Sequence, residues 1–285
     1  MILDGKVVAA SIKEQLKEEI DEAVASGCRR PRLVIISVGD DPASKVYVRN
    51  KMKAAEEVGI IANHFPMGIL EDGSPTTEYV QGIVAKLNAD NEIDGIMVQL
   101  PLPKHLDERA IIDAIDPAKD VDGLTTTNIG RLRSGQDCLK PCTAAGIIDL
   151  LKYYNIRLDG KDVTIIGRSN IVGKPLADLM MAEGATVMQC HSKTKDLAFH
   201  AAFSSIVVSA VGKAKFINDR YVWANTDTVI DVGINRDENG KLCGDVDFEG
   251  IKDKVGNITP VPGGVGPMTV AELMKNVVIA WRNNK

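Results

Sequence analysis

The stretch DVTIIGRSNIVGKPLADLMMAEGATVMQCHSKTK, residues 162–195, reads as strand, turn, helix, strand. A dinucleotide fingerprint wants G-x-G-x-x-G after the first strand and an acidic residue about 20 positions further on. Here the turn runs Gly167, Arg168, Ser169, Asn170, Ile171, Val172, Gly173, and the second strand ends in Cys190, His191, Ser192, Lys193. The middle glycine and the acid are both missing. A helix N-terminus behind a strand offers unpaired N–H groups and partial positive charge, which suits phosphate. Gly167 and Gly173 let the backbone come close to a ligand. The usual acid would bind a ribose 2′-hydroxyl and repel a 2′-phosphate. His191-Ser192-Lys193 with Arg168 turns that position from acid to donor, and arginine is a bidentate phosphate clamp. The ligand this predicts is NADP rather than NAD; the competing reading is an ordinary βα turn with a solvated arginine. His191 sits at the adenosine end, which argues against a role in proton transfer.

Outward from this unit, strands are expected at 162–167, 185–190, 205–210 and 227–232, after a helix through AAGIIDLLKYY. VPGGVGP (261–267) is a stiff, crowded loop, and TVAELMKNVVIAW closes the chain as a helix. The first half alternates in the same way. Val8, Ile12, Leu16 and Ile20 draw an apolar stripe on a first helix ending near Gly27. RLVIISV (32–38) is a continuous β-branched run, as in a strand buried on both faces. A helix over 43–58 stops at Gly59, IIANHF follows as a short strand, and Ser74-Pro75 marks a helix start by its capping hydroxyl and N1 proline. That helix leads to DGIMVQLPLP (94–103). Alternating strands and helices predict an α/β protein. It has two domains: an N-terminal α/β domain with a parallel sheet, and a Rossmann-like dinucleotide-binding domain. The expected ranges are 1–140 plus 268–285 for the first and 141–267 for the second, with a ligand cleft between them.

Composition narrows the class. At 285 residues with a net charge of −5, the chain is a poor candidate for binding nucleic acid or an acidic membrane, although a local basic pocket can hold a small anion. Five cysteines, an odd number with no C-x-x-C among them, suggest neither a disulfide framework nor a zinc knuckle, and point to a reduced, cytoplasmic compartment. The four histidines lack metal-ligand spacing. No apolar signal core opens the chain, and no run approaches the ~18 apolar residues of a membrane span.

The first half carries the candidate chemistry. Tyr47 and Lys51 lie four apart in a helical stretch and share a face. One reading is a snorkelling surface pair; the other is a partly buried ammonium whose pKa is lowered enough for proton transfer near neutrality. Gln99 falls just past a strand's carboxyl end, where open α/β sheets bind ligands. Asp120 and Asp122 precede Gly123 in a loop. They read either as a structural Asx-rich turn or as a carboxylate holding the amino-pyrimidine edge of a heterocycle.

Seven stretches, SKVYVRNKMKA, GIMVQLPLP, KDVDGL, GRLRSG, GRSNIVGKP, CHSKT and PVPGGVGPMT, occur in this order over most of the chain. Together they resemble the bifunctional methylenetetrahydrofolate dehydrogenase/methenyltetrahydrofolate cyclohydrolase family. The resemblance implies hydride transfer from 5,10-methylenetetrahydrofolate to NADP, then water addition to give 10-formyltetrahydrofolate. It implies that Lys51 is the catalytic lysine, with Gln99 setting its protonation state, Tyr47 packing against the folate rings and Asp122 anchoring the pterin. Pro262, Gly263 and Gly264 are implied to line the folate pocket near the nicotinamide. Gly167, Arg168 and Ser169 are implied as the phosphate loop, with Ser192 nearby and Ile234 on the nicotinamide side. Tetrahydrofolate derivatives are the implied partners, and a homodimer the implied assembly. One departure is Ala144, where the family usually has proline; it is expected to loosen the helix start without changing the chemistry. The formate-activating synthetase fused to some relatives is expected to be absent. Rival functions are a two-domain amino- or keto-acid dehydrogenase and a non-catalytic NADP or folate sensor.

Overall fold

A computed structural model describes residues 1–70 and 75–284. In chain order the first half runs α1 (Gly5–Ala25), β1 (Arg32–Val38), α2 (Pro42–Val58), β2 (Ile61–Met67), α3 (Thr77–Ala89), β3 (Gly95–Val98), α4 (Glu108–Asp113) and α5 (Thr126–Arg133). The second half runs α6 (Cys142–Tyr153), β4 (Asp162–Ile166), α7 (Gly173–Ala182), β5 (Thr186–Cys190), α8 (Leu197–Ala201), β6 (Ile206–Ser209), β7 (Thr228–Asp231), β8 (Asn235–Arg236), β9 (Leu242–Cys243), α9 (Phe248–Ile251), β10 (Asn257–Ile258) and α10 (Val265–Asn283). Two compact units result, one of 1–9 with 143–269 and one of 10–142 with 270–285.

The unit of 10–142 and 270–285 is built on a parallel sheet of order β2-β1-β3. β1 is central, and its alternate residues feed two cores. Leu33 and Ile35 pack with Leu16, Ile20, Val58 and Trp281 on one face. Val34, Ile36 and Val38 pack with Val80, Val84, Ile111 and Ile115 on the other. Full burial of such side chains contributes about 1.5–3 kcal/mol each, so the continuous apolar run at 32–38 follows from two covered faces. α2 starts where Asp41 accepts the Ser44 N–H and Pro42 takes the first turn, and it stops at Gly59, whose φ of +86° suits a left-handed cap.

The other unit has a five-stranded parallel sheet of order β10-β7-β6-β4-β5. Chain order reverses between β4 and β6, which places a ligand crevice at the carboxyl ends of those strands. The first nine residues, expected with the first half, pack here instead. Leu3 N–H donates to Ile258 O at 2.8 Å, Gly5 N–H to Gly263 O at 2.9 Å, and Asp4 N–H to the Tyr154 hydroxyl at 3.0 Å. The first of these bonds pairs backbone of the two-residue strand β10, and the other two tie the segment to the 262–264 turn and to Tyr154 just past α6. Ala144 is fully buried in the first turn of α6.

α3 begins at Thr77 with Thr76 as its cap, the hydroxyl accepting the Tyr79 N–H. Pro75 therefore precedes the cap and is not the first helical residue. Ser74, read from sequence as the capping hydroxyl, lies outside the described residues.

Candidate active site

Lys51 sits on the core-facing stripe of α2 with Val48, Ala55 and Val58, and is 8% exposed. Its Nζ donates to Gln99 Oε1 at 3.0 Å and lies 3.3 Å from Met97 Sδ. Gln99 is fixed in turn: its N–H donates to Ile36 O at 2.8 Å, and its Nε2 to Leu100 O at 2.7 Å, which leaves Oε1 facing the lysine. Burial lowers the Lys51 pKa, against the pull of Asp122 and Cys142. No carboxylate makes a direct ion pair with it among the described residues, so desolvation prevails. This decides between the two readings of the Tyr47/Lys51 pair. Lys51 is a buried amine, whereas Tyr47, at 39% exposure, shows its ring to solvent.

The two aspartates of the KDVDGL loop part company. Asp120 is buried and accepts from Leu124 N at 3.2 Å, Thr125 N at 2.8 Å and Asn128 Nδ2 at 2.9 Å, which is a structural turn. Asp122 holds no backbone donor among these. Burial raises its pKa, against the pull of the Lys51 ammonium. The Cys142 thiol lies within bonding reach of that carboxyl and of Val121 O, the latter at 3.3 Å. Met97 and Cys142 thus join the lysine site although neither is expected there from sequence, Met97 lying in the GIMVQLPLP stretch only as an apolar strand residue. Gly123, at φ +71°, passes so close to Lys140 that an added Cβ would lie 2.4 Å from its carbonyl carbon.

In the other unit, Gly167 ends β4 at φ +141°, and a Cβ there would lie 2.4 Å from Ala210 O. Gly173 is the buried first residue of α7 rather than a turn residue. Ser169 Oγ accepts from Val172 N at 3.2 Å and Gly173 N at 3.4 Å, so its hydroxyl hydrogen is free to point outward. Arg168 is exposed and has no ion-pair partner among the described residues. Ser192 and Lys193 are exposed beyond β5. His191 Nδ1 accepts the Lys193 N–H at 3.2 Å, a local turn contact. The donor set, two cations and two hydroxyls with no acid in 190–195, fits a phosphorylated ribose. Ile234, 49% exposed, follows β7 in a loop anchored by Asp245, whose carboxylate takes Ser209 Oγ, the N–H groups of 211–213 and Asn235 Nδ2. Asp245 carries no motif that would announce it. Pro262, Gly263 and Gly264 form a tight turn in which Gly264 N–H donates to Pro260 O at 2.8 Å. The structure brings Lys51, Gln99 and Asp122 together in one unit, and places Gly167, Arg168, Ser169, Ser192, Ile234 and 262–264 in the other.

Residues 3–122 match the family model described as Tetrahydrofolate dehydrogenase/cyclohydrolase, catalytic domain, and residues 141–285 the one described as Tetrahydrofolate dehydrogenase/cyclohydrolase, NAD(P)-binding domain. The chain belongs to this family. Among its relatives, the bifunctional protein FolD of Agathobacter rectalis is 50% identical over 281 residues, 99% of each chain. The crystal structure of bifunctional FolD from Campylobacter jejuni is 43% identical, with a TM-score of 0.96 over 100% of this chain and 99% of that one. Trypanosoma brucei FolD, solved in complex with NADP cofactor and inhibitor, is 36% identical with a TM-score of 0.92, over 99% and 97%. No helix of the described residues is long and apolar enough to cross a membrane.

Proposed function

We propose that this protein is the bifunctional NADP-dependent enzyme of one-carbon folate metabolism. It oxidises 5,10-methylenetetrahydrofolate to 5,10-methenyltetrahydrofolate and hydrolyses the product to 10-formyltetrahydrofolate, with Lys51 serving the chemistry. The observation that carries this reading is the buried Lys51 Nζ bonded to Gln99 Oε1 at 3.0 Å, in a chain of this family. Against an amino- or keto-acid dehydrogenase or a passive sensor, the reading is supported by the family match over both halves of the chain.

NADP, when bound, supplies the acceptor for the hydride that leaves the methylene carbon. Arg168, Ser169 and Ser192 would hold its phosphates by charge-assisted hydrogen bonds, and Gly167 and Ile234 would shape the turn and the nicotinamide side. Residues 141–267 form the cofactor domain, on which residues 1–9 pack, and the rest of 1–140 with 268–285 the catalytic one. Asp122 anchors the pterin, Tyr47 packs on it, and Pro262, Gly263 and Gly264 contribute to the substrate site through their bare backbone. Loss of the hydride leaves a cation shared by two nitrogens. Water bonds to the carbon while Lys51, its pKa lowered by burial, takes a proton; the C–N5 bond then breaks as N5 is protonated. A lysine whose charged form is disfavoured by burial repels the cation less. Keeping the intermediate in place replaces a second encounter. The enzyme works as a homodimer in the cytoplasm, a reading supported by family resemblance and by five unpaired cysteines; sedimentation of the purified chain tests the dimer. Methylenetetrahydrofolate with NADP, followed at the NADPH absorbance, tests the reaction. Silence there refutes it.

A further inference from the structure

The carboxyl ends of β1 and β2 and the start of α2 line a partly open chamber of about 80 Å³ that reaches Gln99, the hydrogen-bond partner of Lys51. Ser37, Ser44, Lys45, His64 and Gln99 contribute to its wall. That volume holds two or three waters at about 30 Å³ each. Polar partners for them are in place. Ser44 Oγ is buried in the wall without a close hydrogen-bond partner among the described residues, with the Asp41 carboxylate as its nearest acceptor, and a water there would complete its hydrogen bonding. At the outer side, Ser37 Oγ and His64 Nε2 are 2.8 Å apart, and His64 is itself exposed.

We infer that this chamber is a hydrated proton exit serving Lys51, with His64 handing the proton to solvent. The inference rests on the proposed two-step reaction and concerns only its second step. There the water oxygen bonds to the methenyl carbon, the C–N5 bond breaks, and one water proton ends on N5. The other water proton must leave, because a cation and water become a neutral product and H⁺. Hydride transfer releases no such proton. Lys51, enclosed by Met97 and Gln99, must be returned to its neutral form after each turnover. With the Ser37 hydroxyl donating to Nε2, the neutral His64 ring carries its hydrogen on Nδ1; a proton accepted at Nε2 is balanced by one released from Nδ1 to bulk water. The charged groups facing this route are already engaged. Asp40 pairs with Lys45 at 2.9 Å, and Asp41 caps α2 through the Ser44 N–H at 2.7 Å. Partial desolvation by its neighbours lowers the His64 pKa, which favours release of an accepted proton.

The test follows hydrolysis of methenyltetrahydrofolate and formation of NADPH separately, on the full chain. His64→Asn is expected to slow hydrolysis about tenfold, less than the 10²–10⁴ of a direct acid or base because water offers side routes. NADPH formation should stay within about twofold, which also shows that the variant is folded. Added imidazole should restore hydrolysis in proportion to its concentration, and the solvent deuterium effect on hydrolysis should rise. Ser37→Ala should move in the same direction by a smaller factor. Hydrolysis by His64→Asn at the parent rate with an unchanged isotope effect overturns the exit route, as does a loss that imidazole does not relieve. A parent protein that performs neither step instead overturns the two-step reading, and the exit route falls with it.

Discussion

Lys51 and Arg168 are both cations assigned to ligand chemistry, and the fold treats them in opposite ways. Lys51 is 8% exposed, bonded to Gln99 and held below its ordinary pKa by burial. Arg168 stands in solvent on a turn whose backbone is fixed by Gly167 and Ser169, without an ion-pair partner among the described residues. A group that must exchange a proton near neutrality has to be desolvated, since water would keep lysine charged. A group that has only to attract a phosphate keeps its charge in water, remains reachable, and is weakened by salt.

The sharpest way to break this contrast is at Lys51. Lys51→Met should lower hydrolysis of methenyltetrahydrofolate by about 10²–10⁴ while NADP binding survives; undiminished water addition refutes the role. Lys51→Arg should fare no better, because arginine cannot deprotonate. Next in size, Arg168→Ala should weaken NADP about 10–100-fold, the equivalent of a charged hydrogen bond of about 1.5–3 kcal/mol, and leave NAD nearly unchanged. Titrations at low and high salt check it: the loss should shrink as salt rises, and equal losses for both cofactors contradict the 2′-phosphate assignment.

The aspartates carry the comparison into stability. Asp120→Ala leaves buried donors at Leu124, Thr125 and Asn128 and should cost about 1–3 kcal/mol in denaturant unfolding. Asp122→Asn should leave stability nearly intact and raise KM for the folate. The smallest effect is a pH dependence. The folded pKa of Lys51 lies below the unfolded value near 10.5, so between the two the unfolded chain binds more protons. Stability therefore rises with pH through that window, and the penalty is fully present below the folded pKa. Lys51→Met should melt higher than the parent at pH 7, by about 2–4 °C for each kcal/mol released, and the gap should close as pH approaches 10.5.

Much of the scaffold was legible because buried parallel strands are short continuous apolar runs. RLVIISV is strand β1 over its whole length, and the four strands expected after residue 160 recur as β4 to β7 with ends trimmed by a residue or so. The short helices α4, α5 and α8 and the β8–β9 hairpin gave too few residues for a period to show. Thr76, directly before the Val80 and Val84 stripe, was the available signal for the start of α3, and the preceding Ser74-Pro75 masked it. At the candidate site, residue types and spacing were enough to single out Lys51, Gln99 and Asp122. Met97, Cys142 and Asp245 were not readable, because their partners are distant in sequence.

The sequence by itself determined two α/β halves, a turn lined with donors where an acid usually stands, and a lysine one helical turn from a tyrosine. Those are local matters of period, turn chemistry and side-chain charge. Only the tertiary structure decided that Lys51 is buried while Tyr47 is half exposed, that Asp120 ties a loop while Asp122 faces the lysine, and that residues 1–9 pack with the second half. Burial and pairing depend on which elements meet in space, and desolvation, which sets the lysine's proton affinity, exists only once they have met.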